Sequence, residues 1–117
     1  MIHATIRMTL PARKIKEALE ILGSVAERTR VQPACISCRV YHDTQQDNVI
    51  MIDEIWRTQE ELERHLQSNE YRNVLLVVEM AHEKPEIKFS EFSHSTGVET
   101  IEKAISEGKG GGRKYPG

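Results

Sequence analysis

Residues 47–78, DNVIMIDEIWRTQEELERHLQSNEYRNVLLVV, decide the fold. Positions 49–56 read as a strand with apolar residues on both sides: Ile50, Ile52 and Trp56 against Val49, Met51 and Ile55. Side chains two apart on a strand share a face, so Glu54 stands with Trp56. Thr58 follows as an N-cap, and Glu61 three residues on completes a T-x-x-E capping box. Leu62 and Leu66 mark the buried side of the helix so begun. His65 lies within a turn of both, which turns it toward the sheet rather than to water. Ser68 and Asn69 interrupt the pattern and start a second helical run. Tyr71, Val74, Leu75, Val78 and Ala81 recur there at helical spacing, with Leu76, Val77 and Met80 opposite them. A segment apolar nearly all round is expected to be buried on more than one side. VLLVV alone is strand-like; the length of the run and its flanks favour helix.

Upstream, Ile2, Ala4, Ile6, Met8 and Leu10 alternate with His3, Thr5, Arg7 and Thr9, the pattern of a half-buried strand. Pro11 ends it and suits the first turn of a helix. Ala12, Ile15, Leu19, Leu22, Val25 and Ala26 continue at helical spacing; Gly23 is the one place where that helix could break. Pro33 opens a second strand, residues 34–42, with Ala34, Ile36, Cys38 and Val40 on one face and Cys35, Ser37, Arg39 and Tyr41 on the other. The polar cluster DTQQDN, residues 43–48, joins it to the third strand in an antiparallel hairpin.

Downstream, Pro85 ends the helical run and residues 86–94 return to alternation, Ile87 and Phe89 on one face, Lys88, Ser90 and Phe92 on the other. Thr96 with Glu99 forms a second capping box. It is expected to start a short helix with Val98, Ile101, Ala104 and Ile105 inward and Gly108 as its stop. The expected organisation is a domain over residues 1–96, a helix over 97–108 and a flexible Gly-rich tail over 109–117.

At 117 residues the chain can bury one core without metal or disulfide staples. A net charge of −2 gives no electrostatic reason to bind nucleic acid or an anionic membrane. The opening MIHATIRMTL lacks the apolar core of a signal peptide, and no apolar run approaches the roughly 20 residues of a membrane span. A cytoplasmic location is the expectation. Cys35 and Cys38 have C-x-x-C spacing, but redox pairs of that kind sit at a helix N-terminus, and here they lie on a strand. Odd spacing sends them to opposite faces. They read as small apolar residues, with a reactive thiol as the alternative.

The order strand, helix, strand, strand, helix, strand is the split βαβ of an α+β, ferredoxin-like fold: a four-stranded antiparallel sheet with helices on one face and an extra C-terminal helix. The other face is left bare, and the third strand is apolar on both sides. A homodimer follows, a dimeric α+β barrel in which two sheets face each other around a cavity.

Three motifs in order, V-x-P-A-C-x-x-x-x-V-Y-x-D at residues 31–43, E-x-W at 54–56 and H-L-x-S at 65–68, resemble the antibiotic biosynthesis monooxygenase family. The resemblance covers about ninety residues and omits the C-terminal helix and tail. It implies the same fold and a diverse set of activities: cofactor-independent oxygenation of quinols and polycyclic aromatics, haem degradation, and isomerisation of a phosphorylated sugar. The haem-degrading members use an Asn on the first strand, a Trp ending the third, and a haem-ligating His on the second long helix. Trp56 matches the Trp. The first strand here has no Asn, and Leu75 stands at the His position, so haem degradation is disfavoured and no cofactor is expected.

The candidate catalytic residues are His65 and Glu54. A neutral histidine takes a proton from a phenol or enediol near pH 7, and a carboxylate on the cavity face orients a hydroxyl or serves as general base. The bland alternatives are a histidine bonded to backbone and an ion pair of Glu54 with Arg39 or Arg7. Trp56 is either core packing or an aromatic wall for a planar substrate. Tyr71, Tyr41, Arg7 and His3 complete a polar lining for substrate, or else pack and face solvent in the ordinary way. No metal cluster, Ser-His-Asp order or paired-carboxylate spacing is evident. Two functions remain: a small dimeric oxygenase of a quinol, aromatic or enolisable molecule, and a non-catalytic small-molecule-binding or stress-response dimer.

Overall fold

A computed structural model describes residues 1–109. Strand β1 (Ile2–Thr9) leads through Pro11 and a 3-10 turn at Ala12–Lys14 into helix α1 (Ile15–Arg30). Strands β2 (Cys35–His42) and β3 (Val49–Trp56) form a hairpin, followed by α2 (Gln59–Leu66), α3 (Asn69–Met80), β4 (Glu86–Glu91) and α4 (Val98–Lys109). The sheet runs β2-β3-β1-β4 with every pair antiparallel. This is the expected α+β ferredoxin-like fold.

The local chemistry explains the elements. Asp43 Oδ1 accepts from the backbone N–H of Gln45 (2.7 Å) and Gln46 (3.0 Å), which folds the polar cluster into the hairpin turn. Those two N–H groups also hold the Asp43 carboxyl below its usual range. Thr58 accepts from Glu61 N–H at 3.2 Å as the cap of α2, and Ser68 accepts from Tyr71 N–H at 3.2 Å as the cap of α3. Such caps contribute about 1 kcal/mol each. The 68–81 stretch is therefore helix, not strand. Gly23 sits inside an unbroken α1.

The core lies between the sheet and its helices. Ile6, Met8 and Leu10 meet Ala18, Leu22 and Val25 of α1, Ile50 and Ile52 of β3, and Val74 and Val77 of α3. A second cluster, Ile2, Ala4, Trp56 and Leu62, closes one end.

Four expectations change. A β-bulge between Cys35 and Ser37 gives β2 one extra residue, so Ile36 turns outward and Cys35 joins Cys38 on the helix side. Alternation alone puts the two cysteines on opposite faces; the bulge cancels that. Helix α3 is buried only along Tyr71, Val74 and Val77, and Leu75 and Leu76 are half-exposed. Helix α4 does not bury its apolar residues in the core: Val98 and Ile101 are half-exposed, Ala104 is exposed, Ile105 is only partly buried, and the helix runs through Gly108. Its cap also shifts, since Glu99 Oε1 accepts from Gly97 N–H at 2.7 Å rather than reaching Thr96. The tail expected from residue 109 lies, from residue 110 on, outside the described residues.

Candidate active site

The register fixes which strand residues meet the helices. Ile2, Ala4, Ile6 and Met8 point into the core, and they stand opposite Trp56, Glu54, Ile52 and Ile50. Directly opposed residues of an antiparallel pair share a face. Glu54 and Trp56 therefore lie under α2 and α3, inside the protomer. The 3.6-residue period of α2 brings His65 down onto them beside Leu62.

The result is a closed polar cluster. Trp56 Nε1 donates to Glu54 Oε1 at 2.7 Å. His65 Nε2 lies 3.1 Å from the same oxygen. Its N–H direction misses the carboxylate, and neither ring nitrogen has a hydrogen-bond partner among the described residues. The Trp56 and His65 rings lie 4.7 Å apart, tilted by 32°, and Tyr71 meets His65 edge-on at 5.2 Å. Glu54 is 3% exposed and His65 2%. A buried carboxylate with one firm donor and a buried imidazole with none is an arrangement with unused hydrogen-bonding capacity.

Ser68 fixes the corner that holds His65. Its hydroxyl donates to His65 O at 2.6 Å while capping α3, so one residue joins the end of α2 to the start of α3. Cys38 stands opposite Glu54, and Cys35 opposite Trp56. Burial, and next the Glu54 charge, push the Cys35 thiol up to about 11 and Cys38 higher still. The same two causes push the Tyr71 hydroxyl up to about 12. All three groups stay protonated at neutral pH, so neither cysteine presents a thiolate and the Tyr71 hydroxyl can donate. The nearness of the cysteines to Glu54 escaped the reading of the sequence. Pairing residues outward from the 43–48 turn sets His42 against Val49 and Cys38 against Asp53. The actual register, His42 opposite Ile50, is one residue different and brings Cys38 to Glu54. Neither that step nor the bulge that adds Cys35 has a signal in the sequence.

The remaining candidates do not join this cluster. His3, Arg7 and Tyr41 occupy the open face of the sheet, because odd positions of β1 point away from the helices. His3 Nε2 pairs with Asp53 Oδ2 at 2.9 Å and Arg7 Nη2 with Asp43 Oδ2 at 3.9 Å. Tyr41 is half-exposed beside Arg7 and Met51 at a cleft of about 110 Å³. One lining shared by all seven residues is thus corrected to two sets on opposite faces, and Glu54 pairs with neither Arg7 nor Arg39. A surface cavity of about 730 Å³ lies between Pro33, Ala34 and the start of α2. Ala34 lines it and also packs against Trp56 and Leu62, so the cavity adjoins the cluster without containing it.

Comparison with known proteins settles the family. The model of the antibiotic biosynthesis monooxygenases matches residues 1–75, more than half of the chain. The chain belongs to the antibiotic biosynthesis monooxygenase family. A structure named as an antibiotic biosynthesis monooxygenase superposes with a TM-score of 0.72 at 17% identity, covering 80% of this chain and 100% of that one. A conserved protein from Methanosarcina mazei Go1 gives 0.72 at 20% identity, with 79% and 92% covered. One assigned to the same monooxygenases in Deinococcus radiodurans gives 0.75 at 17%, with 83% and 97% covered. A search of curated proteins finds no match.

The monooxygenase fold leaves the question of a cofactor to the residues. Leu75, which the resemblance sets at the position of the haem-ligating histidine, is a half-exposed leucine with no ligating atom. Among the described residues no three His, Cys, Asp or Glu side chains are grouped to hold a metal ion. No helix of these residues is long and apolar enough to cross a membrane.

Proposed function

We propose that this chain is a cytoplasmic, cofactor-independent monooxygenase of a quinol, anthrone or other enolisable aromatic. The observation that carries the reading is the convergence of Glu54, Trp56 and His65 in one buried cluster, with both His65 nitrogens unpartnered. A substrate hydroxyl reaching His65 would supply the missing partner. Glu54, held by the Trp56 N–H, stabilises the imidazolium that forms when His65 takes the proton. Trp56 and Tyr71 provide aromatic walls, and the burial of the cluster withholds bulk solvent from the substrate anion, which favours charge transfer to dioxygen. For an anthrone, the ring methylene becomes a carbonyl, one atom of O₂ enters the product, and the other leaves as water with the two methylene hydrogens.

The test is oxygen uptake with a panel of anthrones and quinols. Turnover that falls with His65→Gln supports the reading. The closure of the cluster favours a second reading, a binding module without chemistry. Tight binding of a panel member in calorimetry with no oxygen uptake would establish that one instead.

The assembly that goes with either reading is a homodimer with the open sheet faces apposed, placing His3, Arg7 and Tyr41 in the barrel between two copies. Light scattering at micromolar concentration tests it, and a monomer contradicts it.

A further inference from the structure

The cluster of Glu54, Trp56 and His65 is shut: the side chains of His65 and Glu54 are 0% and 4% exposed. A substrate that meets His65 must come through a wall, and the cavity of about 730 Å³ adjoins one. Its volume lies within the roughly 300–1,000 Å³ of small-molecule sites. Ala34 lines the cavity and packs against Trp56 and Leu62, so at that point one methyl-bearing residue separates the two. Thr58, Glu60, Glu61 and Arg64 line it from α2, the helix that carries Leu62 and His65 into the interior. Only those two of its eight residues are buried. A helix so short has little stability of its own, which makes α2 a partition that can shift by local opening. The clefts beside Ser24 on α1 and beside Tyr41 on the open face differ: none of their lining residues packs against the Trp56 cluster.

We propose that this cavity is the outer part of the substrate site and that Ala34 is its gate, the residue that sets which aromatics reach His65. The inference rests on the functional reading above and adds to it a route and a specificity residue. Two bonds from Arg57 hold the gate in place: its backbone N–H donates to Ala34 O at 3.0 Å, and its Nε donates to Pro33 O at 3.4 Å. Arg57 is exposed and pairs with no carboxylate among the described residues. Its remaining N–H groups are open to an oxygen of the ligand, and its plane to a ring. Arg64 is engaged by Glu60 and Glu61. Two arginines against two glutamates leave the lining without net charge, which suits an uncharged aromatic better than an anion. Pro33 and Ala34 supply apolar surface for such a ring to cover. A larger side chain at residue 34 would stand between the cavity and Trp56, so it acts on entry and not on the proton transfer at His65.

The experiment measures naphthol binding by calorimetry and oxygen uptake with an anthrone, using the full-length native chain, Ala34→Leu, Arg57→Ala and Ser24→Leu. The last fills the cleft on α1. Ala34→Leu is expected to raise the naphthol dissociation constant and lower kcat/KM by about tenfold or more, with kcat changed less than about threefold. Arg57→Ala, an exposed change that leaves the fold intact, is expected to weaken naphthol binding by about threefold or more, and it carries the test should Ala34→Leu not fold. Ser24→Leu is expected to stay within about twofold of native. Binding and turnover within about twofold of native in whichever of the first two variants fold overturn the cavity and leave the chemistry at His65 standing. A fall in kcat alone with naphthol binding intact, or an equal loss in Ser24→Leu, also overturns it. Naphthol that binds the native chain but not Ala34→Leu, with oxygen uptake by neither, removes the chemistry and supports the cavity. A native chain that neither binds naphthol nor takes up oxygen overturns both.

Discussion

The two faces of the sheet carry similar side chains in opposite circumstances. On the open face His3 pairs with Asp53, both partly exposed. On the helix face His65 lies as near to Glu54, both almost fully buried. Water screens the first pair and supplies whatever hydrogen bonds it lacks. The second is shut off from bulk solvent, so the unpartnered His65 nitrogens and the single firm donor to Glu54 weigh more. Burial, not residue identity, makes one pair a surface contact and the other a candidate for chemistry.

The comparison breaks most visibly at Trp56. Trp56→Ala removes the largest buried side chain from the helix face and the N–H donor from Glu54, and is expected to cost about 3–5 kcal/mol of stability. Tyr41→Ala on the open face is expected to change it by about 0.5 kcal/mol or less. Urea unfolding of the two variants measures both. Equal costs would mean that the faces are not distinguished by burial.

Glu54→Gln keeps an acceptor for the Trp56 N–H but loses the charge. On the proposed mechanism it lowers kcat for oxygen uptake by roughly 10²–10⁴. The circular dichroism melt should still show one cooperative transition.

Alkaline pH sharpens the contrast next. The native Cys35 thiol sits at about 11 against an ordinary 9.0, and Tyr71 at about 12 against 10.0. Burial holds these protons on groups that the unfolded chain releases earlier. Their contribution is therefore whole below about pH 9 and lost as pH rises through 11 and 12. The urea midpoint is expected to be level below pH 9 and to fall above it, with Tyr71→Phe flattening the upper part of the fall.

His3→Ala is expected to cost little, about 1 kcal/mol or less, and the cost should fade as salt rises. Thermal melts in low and high salt measure it.

Most of the fold was legible because its signals are local and agree. Alternation gave β1, the T-x-x-E box placed the start of α2, and Ser68 marked the start of α3. The bulge at Ile36 was not legible, since one inserted residue leaves no trace in hydrophobic alternation yet reverses the face of Cys35. Within the candidate site, the shared face of Glu54 and Trp56 and the inward turn of His65 followed from strand and helix periods. Which side of the sheet they occupy did not. That depends on β1–β3 register: Ala4 opposite Glu54 assigns the pair to the helices, whereas a cavity between two sheets had been the expectation. The apolar stripe of α4 follows from its spacing, but spacing alone does not say whether a stripe is buried, and Val98 and Ile101 are half-exposed.

The central claim is that the helix face, and not the open face, carries the chemistry. Its most direct test is oxygen uptake with an anthrone by four folded variants: Glu54→Gln and His65→Gln on one face, Arg7→Lys and His3→Gln on the other. The expected result is a loss of about 100-fold or more for the first two and a change within about threefold for the second two. Full activity in Glu54→Gln and His65→Gln, with loss in Arg7→Lys or His3→Gln, would contradict it and move the site into the barrel between copies.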